Sequence, residues 1–320
     1  MFIALLLLVA GLAILIKGAD LLISGASSTA KKYGISNLTI GLTVVAFGTS
    51  MPELIVSLIA AVNGQSDASF GNVIGSNNFN LLFILGISGI IYPLTVQKNT
   101  VKYEIPISLM AAVILFLLVN DRLLWQVDKS TLSRFDSALL LLFFVGFMFY
   151  IYRTMSSAND LGEASPIQIY STPASIGLIA VGVVMLIGGG TLVVNNAILM
   201  ANHFGLSEKI IGLTILAAGT SLPELATSAV AAYRKNTDIA IGNVVGSNIF
   251  NIFFILGITG AVNPIVYNPS LNFDIYVLLA STLLLMIFMF TLSQRKLDRW
   301  EAIIMLISYV AYTIFLIGME

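Results

Sequence analysis

The chain has 320 residues, 58% of them hydrophobic and 10% charged, with fifteen Lys and Arg against sixteen Asp and Glu. Soluble domains carry roughly a quarter charged residues, so this composition excludes a water-facing globule of ordinary surface and points to a bilayer. The absence of a basic tract or an aromatic-basic stripe sets a nucleic-acid partner aside, the lack of cysteine excludes disulfides and thiolate metal sites, and the single His203 has no second histidine to work with.

Crossing a hydrocarbon core of about 30 Å takes roughly 20 helical residues. Apolar stretches of that length predict ten transmembrane helices, near 2–30, 35–62, 69–92, 103–119, 134–153, 174–200, 206–233, 239–262, 273–292 and 300–318. The first lacks a basic n-region and an A-x-A-like cleavage site, so it is expected to be a retained helix rather than a signal peptide. Lys31, Lys32, Lys98, Lys102, Arg153, Arg234, Lys235, Arg295, Lys296 and Arg299 fall on one side of this layout, and Arg122, Lys129, Arg134 and Lys209 on the other. Positive loops stay in the cytoplasm, so ten against four predicts both termini outside, in a cell (inner) membrane.

Sliding the chain on itself by 171 positions aligns 41–93 with 212–264 without a gap, with 29 identities over 53 positions. The matched runs are GLTVVAFGTSMPEL with GLTILAAGTSLPEL and GNVIGSNNFNLLFILG with GNVVGSNIFNIFFILG. Five helices separate corresponding points, and an odd number inverts the second copy. The expected fold is therefore an all-α polytopic membrane protein of ten helices in two inverted five-helix repeats. Residues 1–153 form the first repeat, 154–173 a short cytoplasmic linker, and 174–320 the second. Inverted halves place their matching segments face to face at the midplane, where ion sites lie, and alternating access follows from one part rocking against the other.

The second helix carries the first candidate residues. Ala46, Thr49, Ser50, Glu53 and Ser57 follow an i, i+3, i+4, i+7 pattern that makes one face. Pro52 interrupts it and is expected to free the Gly48 carbonyl, and freed carbonyls in discontinuous helices coordinate sodium or protons. The second copy repeats the pattern as Ala217, Thr220, Ser221, Pro223, Glu224 and Ser228. Kinking prolines and incidental polar residues would account for either copy alone. An acid at bilayer depth is costly, and finding it at repeat-related positions points to an ion pathway. In the third helix Asn72, Ser76 and Asn80 share a face as neutral oxygen donors, repeated by Asn243, Ser247 and Asn251. Gly71 with Gly75, and Gly242 with Gly246, make small-xxx-small steps for close helix packing. Calcium takes six to eight oxygens, and two bidentate carboxylates with the Thr49 and Thr220 carbonyls supply about six. Magnesium fits such a cage less well, and zinc or copper lack their ligands.

GTSMPE with GSNNFN, and GTSLPE with GSNIFN, resemble the two alpha-repeats of the sodium/calcium exchanger family, within the cation/calcium antiporter superfamily. The resemblance implies a Ca2+ site from Glu53, Glu224 and the Thr49 and Thr220 carbonyls. It implies Na+ sites drawing on the Ala46 and Ala217 carbonyls, Ser50, Ser76, Ser221 and Ser247, with both glutamates shared and Asn80 and Asn251 beside the centre. Some relatives, notably the potassium-dependent branch, carry aspartate at one of these asparagines, so the chain is expected to be K+-independent. It also lacks the calcium-sensing domains of large eukaryotic members, as a bare prokaryotic-type exchanger would. One Ca2+ neutralises two glutamates while three Na+ leave one positive charge, which agrees with the family's electrogenic three-for-one exchange. The expected partners are inorganic cations and the lipid bilayer, with no cofactor and no obligate protein partner.

Other features are expected to be structural. Lys17 and Asp20, whose repeat partners are Gly188 and Thr191, suggest a local ion pair or snorkelling. The Gly188–Gly190 run suits sliding or bending rather than phosphate binding, and Trp125 and Trp300 suit interfacial anchors. The nearest rival function is an H+/Ca2+ antiporter using the same glutamates. Its family usually has acids in the GN-containing helix, where this chain has GNVIGSN and GNVVGSN. A channel is a second rival. An intramembrane enzyme using the glutamates as acid and base has no nucleophile constellation or H-E-x-x-H to support it, so no enzymatic activity is expected.

Overall fold

The computed structural model describes residues 2–121, 130–154, 168–203, 217–291 and 293–319. Helix α1 spans Phe2–Tyr33. The first motif then runs through α2 (Asn37–Ile40), a π turn (Gly41–Val45), α3 (Ala46–Thr49) and α4 (Met51–Val62). It continues as α5 (Ser66–Asn78), a π turn (Phe79–Ile84) and α6 (Leu85–Ile91). A π turn at Thr100–Glu104 leads into α7 (Ile105–Val119), followed by α8 (Arg134–Thr154) and α9 (Thr172–His203). The second motif comprises α10 (Ala217–Gly219), α11 (Leu222–Tyr233), α12 (Thr237–Ile249), a π turn (Phe250–Leu256) and α13 (Gly257–Val262). Helices α14 (Asn272–Phe288) and α15 (Arg299–Met319) close the chain.

Among the described residues eight helices are long and apolar enough to span a membrane, and a pair bent by 46°, Asn37–Thr49 with Met51–Val62, makes up to nine. The expected span near 206–233 lies partly outside the described residues. Most sequence-derived ends agree with the helices within about four residues, because charges and polar residues end the apolar runs. The span expected over 35–62, interrupted at Pro52, breaks two residues earlier. The helix stops at Thr49 and restarts at Met51, with Ser50 between them at φ −83°, ψ 7°. Pro52 therefore sits in the first turn of a new helix, where a missing N–H costs nothing. Four two-residue strands were also not foreseen. Leu94–Thr95 (β1) pairs with Lys296–Leu297 (β4), and Thr131–Leu132 (β2) with Ile265–Val266 (β3), both antiparallel.

In the apolar 18-residue stretches of these spans, 94% of residues are buried in Thr237–Val262 and 72% in Ser66–Ile91 but 17% in Arg299–Gly318, so the two motif helices form the centre and α15 faces outward. That placement suits their composition: polar residues too costly against lipid are tolerated where protein satisfies them. Close packing follows the small residues. A Cβ on Gly242 would stand 2.9 Å from the Leu38 carbonyl and 3.0 Å from the Leu42 amide, so only glycine lets α12 meet the first motif there. The segment that Gly71 and Gly75 would meet by the same repeat lies outside the described residues. Gly18 and Gly182 bring α1 and α9 into backbone contact, and Gly189 approaches the Gly11 carbonyl, so the two helices run antiparallel. Each motif also grips the far half: Gly86 packs on Ala302 and Leu306, and Gly257, its counterpart 171 positions on, packs on Leu141.

Lys17 and Asp20 do form an ion pair at 3.3 Å, and Arg234 joins it at Asp20. Trp300 packs edge-on against Phe288 and stays partly exposed. Trp125 lies outside the described residues.

Candidate functional site

The two broken helices converge on a fully buried polar centre. Glu53 and Glu224 each lie in the first turn of a helix, α4 and α11, and both are 0% exposed. A helix N-terminus carries partial positive charge and so favours an anion there. Each glutamate follows a serine by three residues, Ser50-x-x-Glu53 and Ser221-x-x-Glu224, the spacing of a capping box in which serine and glutamate cap one helix reciprocally. Neither serine caps its own helix. The hydroxyls cross instead: Ser50 donates to Glu224 Oε1 at 2.8 Å, and Ser221 to Glu53 Oε1 at 2.9 Å.

The GN-containing helices supply the next contacts, all but one of them made twice. Ser76 Oγ lies 3.4 Å from Glu53 Oε1, and Ser247 Oγ 3.4 Å from Glu224 Oε1 and 3.0 Å from Ser50 Oγ. Asn72 donates to Ser57 Oγ at 2.8 Å and to the Glu53 carbonyl at 3.2 Å. Asn243 does the same to Ser228 Oγ at 2.9 Å and the Glu224 carbonyl at 3.3 Å. With their NH2 groups so engaged, the Asn72 and Asn243 oxygens accept from Thr220 at 3.2 Å and Thr49 at 3.0 Å. Apart from the Ser247–Ser50 contact, each of these bonds recurs between residues 171 positions away.

Four buried oxygens of the two motifs have no hydrogen-bond partner among the described residues: Glu53 Oε2, Glu224 Oε2, Asn80 Oδ1 and Asn251 Oδ1. All four can act only as acceptors when the carboxylates are ionised. Buried acceptors without donors are expensive, and an unpaired set of them is suited to a cation. Among the described residues no three His, Asp or Glu side chains gather as a metal cluster. Two carboxylates and neutral oxygens line this centre.

The family described as sodium/calcium exchanger protein matches residues 3–153 and 174–318. This chain belongs to the sodium/calcium exchanger family. The exchanger is 35% identical over 321 residues to the putative antiporter CaxA of Alkalimonas amylolytica, covering 98% of both chains. It is 31% identical over 350 residues to the sodium/calcium exchanger MaX1 of Methanosarcina acetivorans, covering 97% of both. Its fold matches a structure of the sodium-calcium exchanger NCX_Mj soaked with Na+ and Sr2+, with a TM-score of 0.82, 31% identity and 97% of each chain covered.

In this exchanger Thr49, Ser50, Glu53, Ser76, Asn80, Ser221, Glu224, Ser247 and Asn251 are all buried, and Thr220 is half-buried. Ala46 is buried too, but its carbonyl is not freed, since it accepts the Ser50 N–H at 3.0 Å. Ala217 opens α10. Pro52 and Pro223 lie two residues past the break rather than at it.

Sequence reasoning missed Asn77 and Asn248, which are fully buried and bridge the two motifs. Their retention in both copies of GSN was the available signal. It also missed Glu104, which accepts from Tyr150 at 2.5 Å, and Asp274, which accepts from Tyr312. Each lies near the start of a span that faces the centre less directly.

Proposed function

We propose that the exchanger is a secondary active antiporter that moves Ca2+ against Na+ by alternating access around the Glu53 and Glu224 centre. The observation that carries this reading is the set of four orphan acceptor oxygens, two from carboxylates and two from amides, in repeat-related pairs. Ca2+ is held by both glutamates with the Thr49 and Thr220 carbonyls. Na+ takes the same carboxylates together with Ser50, Ser76, Ser221 and Ser247 and the Ala46 and Ala217 carbonyls. Competition for shared carboxylates makes one ion displace the other, which is what couples the fluxes.

The finer reading comprises ten helices in two inverted five-helix repeats, 1–153 and 174–320, joined by a cytoplasmic linker, with both termini outside the cell (inner) membrane. The bonds that repeat at an offset of 171 support the duplication. Two carboxylates and no further acid favour electrogenic exchange of about three Na+ per Ca2+, and neutral Asn80 and Asn251 favour independence from K+.

The test is calcium uptake into proteoliposomes loaded with sodium, with pH clamped on both sides. Uptake should require the sodium gradient, persist without potassium and respond to membrane voltage. Uptake driven solely by an acidic interior would replace sodium with protons as the counter-ion. Calcium flux with no counter-ion on the far side would make the protein a channel.

A further inference from the structure

Asparagine side chains are nearly symmetric in shape, so whether the oxygen or the NH2 faces a site is decided by neighbouring donors and acceptors. At this centre that decision begins at the backbone. The amide of Asn77 donates to the main-chain carbonyl of Asn248 at 3.3 Å, and the amide of Asn248 to the main-chain carbonyl of Asn77 at 3.3 Å. A carbonyl can only accept, so both NH2 groups are pinned toward the opposite helix and both side-chain oxygens are turned the other way.

Those oxygens meet a second pair of amides. Asn251 donates to Asn77 Oδ1 at 2.9 Å, and Asn80 donates to Asn248 Oδ1 at 3.0 Å. An oxygen too can only accept, so Asn251 and Asn80 must present their NH2 groups here and direct their own oxygens elsewhere. These outward oxygens are two of the four orphan acceptors. All four asparagines are 0% exposed, so no solvent competes for the choice.

We propose that Asn77 and Asn248 are positioning residues of the ion site, each fixing the amide of the other half so that Asn251 and Asn80 offer oxygen, never NH2, to the cation. The assignment rests on the reading that the cation lies between Glu53 and Glu224. Asn77 governs Asn251, and Asn248 governs Asn80. The control is crossed, since Asn80 is three residues from Asn77 in the chain yet is set by Asn248. Without Asn77, the Asn251 amide can turn over, which places partly positive hydrogens where the ion needs a ligand.

The test is a double-mutant cycle in reconstituted protein. Asn77→Leu should raise the Ca2+ concentration for half-maximal uptake about tenfold, the scale of a lost buried hydrogen bond, with maximal rate changed less. In an Asn251→Ala background the same substitution should change it less than twofold. In an Asn80→Ala background the tenfold effect should remain. Asn77→Asp, whose protonated form can both donate and accept, should recover most of the loss at low pH. An Asn77→Leu effect below twofold, or one that persists with Asn251→Ala, overturns the relay. If instead Asn251→Ala and Glu53→Gln both leave uptake unchanged, the ion-site reading itself has failed. Should Asn77→Leu not accumulate, Asn248→Leu with Asn80→Ala runs the same cycle, and a calcium-dependent rise in melting temperature serves as a readout that needs no transport.

Discussion

Replacing Glu53 by glutamine should move stability and function in opposite directions. Glutamine keeps the shape and retains an oxygen for Ser221, which donates to Glu53 Oε1 at 2.9 Å, but it places an NH2 where the unpartnered Oε2 now stands. Two unit charges 4 Å apart interact by roughly 4 kcal/mol at an effective dielectric of 20, and a divalent ion doubles that, so losing one carboxylate should cost at least on the order of a thousandfold in calcium affinity. In the ion-free protein the same change removes a buried acid facing another, so folding is relieved rather than harmed. The assay is a melting curve in detergent, with and without calcium, beside uptake in proteoliposomes. Glu53→Gln should melt at or a few degrees above the parent in chelator, lose the calcium-dependent rise, and transport nothing measurable. A lower melting point in chelator combined with a retained calcium response would refute the reasoning, because Glu53 would then be a structural acid.

Ser221→Ala and Ser50→Ala each remove one donor from a buried carboxylate. Both should raise the calcium concentration for half-maximal uptake by roughly tenfold, and a gap of more than tenfold between them would show that the two halves of the site are unequal. Gly242→Val should lower the yield of folded protein and its melting point by several degrees, since a Cβ there stands 2.9 Å from the Leu38 carbonyl and overpacking costs about 1–3 kcal/mol. Lys235 closes α11 at φ 61°, where its counterpart 171 positions earlier is Gly64 at φ 73°. Lys235→Gly should therefore stabilise the protein by about 1 kcal/mol, read as a higher melting point with uptake unchanged.

The repeat made much of this molecule readable. Twenty-nine identities at one offset identify the central helices and pair Glu53 with Glu224 before any coordinates are known. Both glutamates are buried, and only protein-facing helices can carry a run such as SDASFGNVIGSNN through a bilayer. What was hidden depends on contacts between distant residues. Ser50-x-x-Glu53 has the spacing of a local cap, and nothing along the chain reveals that the serine serves the other helix. The same holds for Asn77, whose neighbour Ser76 drew attention as an oxygen donor while the amide beside it bonds a backbone 171 residues away. The two-residue ladders, Leu94–Thr95 with Lys296–Leu297 among them, are too short to leave a periodic signature.

The crossed serines bear on how such a molecule could have arisen. Each motif alone holds a glutamate but lacks the hydroxyl that secures it, because that hydroxyl belongs to the other motif. An ancestral single unit would thus have been functional only as a pair, and fusion of two genes would have made permanent a partnership that already existed. The same dependence makes the present chain a candidate for splitting between the two motifs: the two fragments, each inert, should restore exchange only when they are synthesised together.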